Sequence, residues 1–130
     1  MASIFTKIIN GEIPCYKVAE NEHCFAFLDI MPRAKGHTLV VPKKEIDQLF
    51  DLSDEDYNEL MKFAKQIAVA LKSAVPCKRV GMAVIGLEVP HTHIHLIPLE
   101  KAEDINFQRP HITVDVEETK AIAKAISERM

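Results

Sequence analysis

The chain has no surplus of basic residues and no long apolar run. Its 130 residues contain 16 lysines and arginines against 19 aspartates and glutamates, which gives a formal net charge of −3. Proteins that bind nucleic acid without specificity need a basic surface, so this balance argues against that class. No segment approaches the roughly 20 consecutive apolar residues of a membrane-spanning helix. Residues 1–14 lack the basic start and long apolar run of a secretory signal, so we expect a cytoplasmic protein without membrane partners.

Cysteine is scarce as well, and its spacing excludes two further classes. Cys15, Cys24 and Cys77 are odd in number and contain no Cys-x-x-Cys pair. This pattern argues against a disulfide framework and favours reduced thiols inside a cell. The chain also lacks internal repeats, low-complexity runs and linkers. We therefore expect one domain over residues 1–130, long enough to bury a core without disulfide or metal support.

The order of apolar patterns indicates an α+β fold. Short runs bounded by turn residues predict five strands, at residues 16–21, 23–30, 37–41, 79–85 and 90–99. Ser53 caps a long central helix that ends before Pro76, Asp115 caps a C-terminal helix, and residues 3–10 form a short helix or turn. The strands are not separated by regular helices, so we predict an antiparallel five-stranded sheet with a central helix and a C-terminal helix.

Three histidines occupy alternate positions of one predicted strand. His91, His93 and His95 are half of the six histidines in the chain. Side chains alternate between the faces of a strand, so these three share one face at a spacing of roughly 6.5–7 Å. Three explanations remain open on this evidence. The histidines form an ordinary polar surface, they bind zinc together with a ligand such as His37, or they act as nucleophile and acid–base groups.

The segments around these histidines resemble one known family. The sequence HTHIHLIP matches the His-x-His-x-His pattern of the histidine-triad (HIT) superfamily. The segments SIFTKIINGEIPCYKV and FAFLDIMPRAKGHTLVVPKKEI resemble its Hint-like branch, in the same order and at the same spacing. The resemblance covers residues 3–99, which we expect to carry the motifs of a HIT-like fold. Residues 100–130 show no such match and form a C-terminal extension.

The resemblance implies a hydrolase or transferase that acts on nucleotides. Members of this family release a nucleoside monophosphate from a phosphoramidate, an acyl-adenylate or a dinucleotide through a nucleotidyl-histidine intermediate, and need no metal or cofactor for this step. By this resemblance His93 is the nucleophile, His95 donates hydrogen bonds to the phosphate, and His91 and His37 orient the nucleophile. The alternative is a purine-nucleotide-binding regulatory module with weak or no catalysis.

The resemblance also implies a nucleotide pocket and a dimer. Asp29 matches the aspartate that holds the ribose hydroxyls, and Ile30 follows at the pocket wall. The positions that enclose the purine of an AMP-type or GMP-type ligand are Ile4, Phe5, Ile8 and Leu39. Phe5, Ile8 and Leu39 also have an ordinary explanation as core residues, and Asp29 as a turn former. Family members are usually homodimers through the central helix and one edge strand. The stripe of Leu60, Phe63 and Ile67 on that helix suits either an interface or a core.

Two departures from the family pattern are visible in the sequence. Many bacterial relatives have a structural zinc site, but its ligand positions hold Ser3, Thr6 and Glu45 here. Hydroxyl groups replace two thiolates, so we expect no zinc at this place. The polar loop before the triad is shorter, with Ile85 in place of an asparagine and Glu88 in place of a serine. A carboxylate repels phosphate, so recognition of the phosphate is expected to differ from that of relatives.

Overall fold

A computed structural model describes residues 2–130. The helices are α1 (Ile4–Ile9), α2 (Asp54–Ala74) and α3 (Val116–Ser127), and the strands are β1 (Lys17–Glu20), β2 (Cys24–Leu28), β3 (Thr38–Pro42), β4 (Arg79–Ala83) and β5 (Ile94–Leu99). The sheet has the order β1-β2-β3-β5-β4, and every neighbouring pair is antiparallel. This architecture confirms the predicted α+β class with its five-stranded antiparallel sheet, central helix and C-terminal helix.

Both faces of the sheet are buried at its three central strands, β2, β3 and β5. Strand β2 shows the alternation, because Ala26 and Leu28 join the cluster under α2 while Phe25 and Phe27 join a second cluster on the opposite face. The second cluster is completed by residues of α1 and β3. Burial on both faces explains why this strand reads as a continuous apolar run rather than as an alternating one.

The apolar stripe of α2 packs inside the molecule. Leu60, Phe63 and Ile67 are 0, 3 and 0% exposed and lie in the cluster between α2 and the sheet. The Ser53 hydroxyl accepts a hydrogen bond from the Asp56 amide at 3.1 Å, which caps the helix as predicted. Of the two explanations for this stripe, the structure therefore supports the core. Among residues 2–130, no helix combines the length and the apolar composition needed to cross a membrane.

Two predicted strands are shorter in the structure. The strand expected at residues 79–85 ends at Ala83, and the strand expected at residues 90–99 begins only at Ile94. Residues 87–91 instead form a bend and residues 92–93 are irregular, and both the amide and the hydroxyl of Thr92 donate hydrogen bonds to the Ile46 carbonyl at 2.7 Å. The prediction that three histidines alternate along one strand is therefore wrong for His91 and His93, which precede β5.

Candidate active site

The ends of three central strands bring the predicted site residues together. Asp29 follows the last residue of β2, His37 precedes the first residue of β3, and Leu28 pairs with Thr38 between these strands. His95 lies on β5 opposite Leu39 of β3. Because β2, β3 and β5 are antiparallel neighbours, these side chains meet at one end of the sheet although they are far apart in sequence.

A cavity of about 230 Å³ opens at this end of the sheet. Its polar lining consists of Asp29, Arg33, Glu88, His93 and His95, and its apolar lining includes Met31, Ile85, Leu87 and Phe107. Asp29 also lines a second cavity of about 110 Å³ together with Ile30 and His37. The structure therefore places His93, His95 and Asp29 around one space, with His37 directly behind.

His91 does not face this cavity. Its side chain is 0% exposed, and both ring nitrogens have partners elsewhere in the protein. His91 Nε2 donates to the Pro42 carbonyl at 2.8 Å, and His91 Nδ1 accepts from the Ser3 hydroxyl at 2.7 Å. The expectation that three imidazoles reach one ligand is therefore wrong for the His91 side chain.

The backbone of His91 nevertheless contacts the cavity through His93. His93 Nδ1 lies 2.8 Å from the His91 carbonyl oxygen. A carbonyl oxygen accepts hydrogen bonds and cannot donate, so the proton of neutral His93 lies on Nδ1 and the lone pair on Nε2. The Phe5 ring packs edge-on against His93 with 4.9 Å between centroids, which fixes the orientation of the imidazole. His93 thus offers an unprotonated nitrogen in the form that a nucleophile needs.

A second chain of hydrogen bonds sets the proton on His95. The backbone amide of Arg33 donates to His37 Nδ1 at 2.9 Å, so the proton of neutral His37 lies on Nε2. His37 Nε2 lies 2.9 Å from His95 Nδ1 and donates to it. The proton of neutral His95 therefore lies on Nε2. The cavity is lined by one imidazole with a free lone pair and one with a free N–H.

Burial keeps His37 and His95 neutral. Burial lowers the pKa of His37 to about 3, and the neighbouring His95 and Arg33 lower it further. Burial likewise lowers the pKa of His95 to about 4, with contributions from His93 and Arg33. Both imidazoles therefore remain uncharged from neutral pH down to moderately acidic pH, and the order of donors and acceptors stays unchanged over that range.

These pKa values predict that acid destabilises the protein through His37 and His95. Unfolding restores a pKa near 6.5 for each imidazole, so the unfolded chain binds protons first. The stabilisation is complete above pH 6.5 and decreases as the pH falls towards 4 and then 3. The free energy of unfolding should fall by up to about 1.4 kcal/mol per pH unit for each histidine.

Urea unfolding at pH 7, 6 and 5 measures this dependence. The His37→Gln variant, which removes one of the two buried imidazoles, should show a shallower decrease between pH 6 and pH 5 than the wild-type protein. An unchanged slope in that variant would mean that His37 titrates normally in the folded state.

Asp29 is placed to accept hydrogen bonds from a ligand. One of its oxygens accepts from the Met31 amide at 2.8 Å, and the other lies 3.5 Å from His37 Nε2. Burial raises the pKa of Asp29, while the Met31 amide and the positive charge of Arg33 act in the opposite direction. A carboxylate with unused acceptor capacity beside a cavity suits two hydroxyl hydrogens of a ribose.

The donor chemistry of Asp29, His37 and His95 does not suit a metal ion. Their ligand atoms lie within 4.8 Å of one another, which is close enough for a shared ion. However, His37 Nε2 carries a proton because Nδ1 accepts from the Arg33 amide. Metal binding at Nε2 would move that proton to Nδ1 and place two donors against each other. The same proton already satisfies His95 Nδ1.

The residues at the family's zinc position form a closed hydrogen-bond ring, which we call the Ser3 ring (Ser3, Thr6, Glu45 and His91). The Ser3 hydroxyl donates to His91 Nδ1 and accepts from the Thr6 amide at 3.1 Å. Thr6 Oγ1 donates to Glu45 at 2.7 Å, and the Ser3 amide also donates to that carboxylate. The Ser3 and Thr6 donors lower the pKa of Glu45. Hydroxyls that are already committed as donors make this donor set unsuitable for zinc.

The predicted base-contacting residues are divided between the interior and the surface. Phe5, Ile8 and Leu39 are 7, 9 and 5% exposed and belong to the second core cluster, as their ordinary explanation requires. Ile4 and Ile30 are 48 and 75% exposed and provide accessible apolar surface.

Two residues of the site were missed by the sequence analysis as site residues. Arg33 and Phe107 both line the cavity, and the guanidinium carbon of Arg33 lies 5.2 Å from the centroid of the Phe107 ring. Phe107 also packs edge-on against His95 with 4.7 Å between centroids. The Ile112 amide donates to the Pro32 carbonyl at 2.9 Å, so the extension after residue 100 folds over the site. Two features of the sequence could have indicated them: Arg33 is a cation between Asp29 and His37, and Phe107 is the one aromatic residue in the polar segment 100–130.

Comparison with known proteins identifies the class of this chain. The family model of the HIT domain matches residues 10–102, and the chain therefore belongs to the HIT family. An uncharacterised HIT-like protein of Borreliella burgdorferi is 39% identical over 132 residues, which cover 95% of each chain. The adenosine 5′-monophosphoramidase hnt1 of Schizosaccharomyces pombe is 34% identical over 132 residues, covering 100% of this chain and 99% of the relative.

A solved structure shows the same fold. The crystal structure of a HIT-like protein from Bartonella henselae superimposes with a TM-score of 0.84 at 33% sequence identity. The alignment covers 98% of this chain and 96% of the other. The likeness therefore includes the C-terminal extension as well as the part that carries the histidines.

Proposed function

We propose that this protein is a nucleotide hydrolase of the phosphoramidase type that needs no metal. It would release a purine nucleoside monophosphate such as AMP or GMP from a phosphoramidate, an acyl-adenylate or a dinucleotide. The observation that carries this proposal is the pair of fixed tautomers at the cavity, with a lone pair on His93 Nε2 and a proton on His95 Nε2. The activity named for the yeast relative hnt1 supports the same class of reaction.

The proposed reaction begins at His93. Its Nε2 lone pair attacks the α-phosphorus and forms a P–N bond, while the bond to the leaving group breaks and the leaving amine takes a proton from water. The ring then carries positive charge, which the hydrogen bond from Nδ1 to the His91 carbonyl stabilises. In the second step water attacks the phosphorus and the P–N bond to His93 breaks, while the proton lost by this water neutralises the hydroxide left by the first step; the nucleotide is released and His93 returns to its neutral form.

The other site residues have supporting roles in this proposal. His95 Nε2–H donates to a non-bridging phosphate oxygen, and His37 positions His95 through the bond between their rings. His91 positions the nucleophile through its carbonyl. Asp29 accepts hydrogen bonds from the ribose hydroxyls, and Ile30 forms the pocket wall beside it. We assign contact with the base to the exposed side chain of Ile4 and to the edges of Phe5, Ile8 and Leu39, which are otherwise buried.

A second candidate function is supported by the residues before the triad. Ile85, Leu87 and Glu88 line the cavity where phosphate donors are expected. A nucleotide-binding regulatory module with weak or no catalysis is consistent with this lining, because a carboxylate opposes the charge of a phosphate.

One experiment separates the two functions. Purified protein is incubated with adenosine 5′-phosphoramidate in the presence of a chelator, and AMP release is followed over many turnovers. Turnover in chelator, together with an acid-labile nucleotidyl group mapped to His93 after quenching, supports the hydrolase. Nucleotide binding without turnover supports the regulatory module. Activity that is lost in chelator and restored by zinc would overturn the metal-free mechanism.

We also propose that residues 1–130 act as one cytoplasmic domain. The motif-bearing part at residues 3–99 and the extension at residues 100–130 meet at the cavity through Phe107. Cys15, Cys24 and Cys77 are unpaired thiols, which fits a reducing compartment.

We propose a homodimer formed through the β4 edge and the neighbouring outer face of α2. Strand β4 ends the sheet, and it exposes Met82 to 44%. Val69 on α2 is 67% exposed and lines a shallow groove together with Val80. An apolar surface beside an open strand edge suits pairing with a second copy.

Val69→Glu is expected to shift this dimer towards monomer, because the substitution places a charge within an apolar contact. Sedimentation velocity across a concentration series measures the shift. Ala121→Glu on the exposed side of α3 is the matched control and should leave the dimer intact. A Val69→Glu protein with the sedimentation behaviour of wild type would exclude this face as the interface.

A further inference from the structure

The cavity has an unusual balance of charge for a phosphate site. Its lining includes two carboxylates, Asp29 and Glu88, and His95 is held neutral by burial. Arg33 is the one lysine or arginine in this lining. A nucleoside monophosphate brings up to two negative charges. Without a cation close by, transfer of those charges from water into the cavity would be costly.

The Arg33 guanidinium is held firmly beside the cavity. It lies over the Phe107 ring at 5.2 Å, and Nη1 donates to the Arg109 carbonyl. Both partners belong to the C-terminal extension, so this segment fixes a side chain that otherwise has many rotamers. A planar guanidinium held in this way is ready to bind an oxyanion with little further loss of entropy.

One polar atom of Arg33 lacks a partner. Among the buried side-chain nitrogen and oxygen atoms of residues 2–130, only Arg33 Nε has no hydrogen-bond partner. Within the same residues, Arg33 forms no ion pair with a carboxylate. A buried donor without a partner costs free energy and requires an explanation. Because Nη1 is used by Arg109, the Nε–Nη2 edge remains, and this edge matches the spacing of two phosphate oxygens.

We propose that Arg33 binds the phosphate oxygens of the nucleotide through its Nε edge. It thereby supplies the recognition that the shortened loop at residues 85–88 lacks, and Phe107 is the residue that positions it. This inference rests on the proposed nucleotide site and extends it. Arg33 offsets the two carboxylates, satisfies its own unpaired nitrogen and gives the C-terminal extension a direct part in the site.

The test compares a charged ligand with an uncharged one. Binding of AMP and of adenosine is measured by calorimetry for wild type, Arg33→Gln and Arg33→Lys. Arg33→Gln should lower the affinity for AMP by about 10- to 100-fold, the range expected for loss of a charge-assisted hydrogen-bond pair. Adenosine lacks the phosphate, so its affinity should change less than twofold. Arg33→Lys should recover part of the AMP affinity, because it restores the charge without the planar edge.

Further variants separate phosphate recognition from damage to the fold. Lys124→Gln removes an exposed positive charge on α3, away from the cavity and from the proposed dimer face, and should leave both affinities unchanged. Phe107→Leu should lower the affinity for AMP more than that for adenosine, because it removes the ring that holds the Arg33 guanidinium in place. Equal losses of AMP and adenosine in Arg33→Gln would assign a merely structural role, and unchanged AMP binding would also overturn the proposal. Failure of wild type to bind either ligand would overturn the proposed nucleotide site, and this inference with it.

Discussion

Replacing His93 with alanine is expected to lower kcat/KM for adenosine 5′-phosphoramidate by about 10⁴-fold or more, the scale observed when an enzyme loses its nucleophile. The structure gives the reason. His93 presents its unprotonated Nε2 to the cavity, whereas His95 presents a proton and His91 is directed away from the cavity. No neighbouring imidazole therefore replaces the lost lone pair. Steady-state kinetics with AMP detection measure the loss.

Matched histidine variants test whether this effect belongs to the nucleophile. His23→Ala, in the turn between β1 and β2, should retain wild-type activity. His95→Ala should lose about 10²- to 10³-fold, because it removes a hydrogen-bond donor to the developing charge but leaves the nucleophile in place. A nucleotidyl group should accumulate on the protein in His95→Ala but not in His93→Ala. Activity of His93→Ala within tenfold of wild type would refute covalent catalysis at this residue.

The fold could be predicted from sequence because its signals are local. Ser53 and Asp115 cap the helices to which they were assigned, and their side chains accept from the amides of Asp56 and Glu118. The strands are separated by turn residues at short range. Such patterns depend on neighbours within a few positions, so one sequence is enough to reveal them.

The true start of β5 could not be predicted because a distant residue determines it. Alternation of His91, His93 and His95 is indistinguishable from that of a strand in sequence. The Ile46 carbonyl, which precedes α2, accepts from the amide and hydroxyl of Thr92 and holds the bend at residues 87–91 and the irregular residues 92–93 in place. That bend turns His91 towards Ser3 and leaves His93 and His95 at the cavity.

The cation of the site was hidden for a related reason. Arg33 occupies a loop with proline and glycine neighbours, where a charged side chain suggests nothing more than exposure to solvent. Its position depends on Phe107 and Arg109, more than 70 residues away in the chain. A pattern within the loop carries no information about that contact. The family resemblance ends at residue 99 and offered no guide either.

A triple substitution in the Ser3 ring is expected to create a zinc site. Ser3→Cys, Thr6→Cys and Glu45→His, together with the native His91, would supply two thiolates and two imidazoles. The present polar atoms are already close, with Ser3 Oγ 3.4 Å from Thr6 Oγ1 and Thr6 Oγ1 3.5 Å from His91 Nδ1. Ligand atoms around tetrahedral zinc are separated by a similar distance of roughly 3.5 Å, given zinc bonds of about 2.0–2.3 Å.

The triple variant should bind one equivalent of zinc, and its Tm should rise on the order of 10 °C between chelator and excess zinc. Wild type should show no such rise, because the hydroxyl proton of Ser3 occupies His91 Nδ1 and that of Thr6 is donated to Glu45. The Ser3→Cys and Thr6→Cys double variant, which retains the carboxylate, is the control and should respond weakly. A triple variant with a zinc-independent Tm would show that the ring does not occupy a latent metal position. A zinc response in wild type would show instead that its hydroxyls already serve as ligands, against the hydrogen-bond order found here.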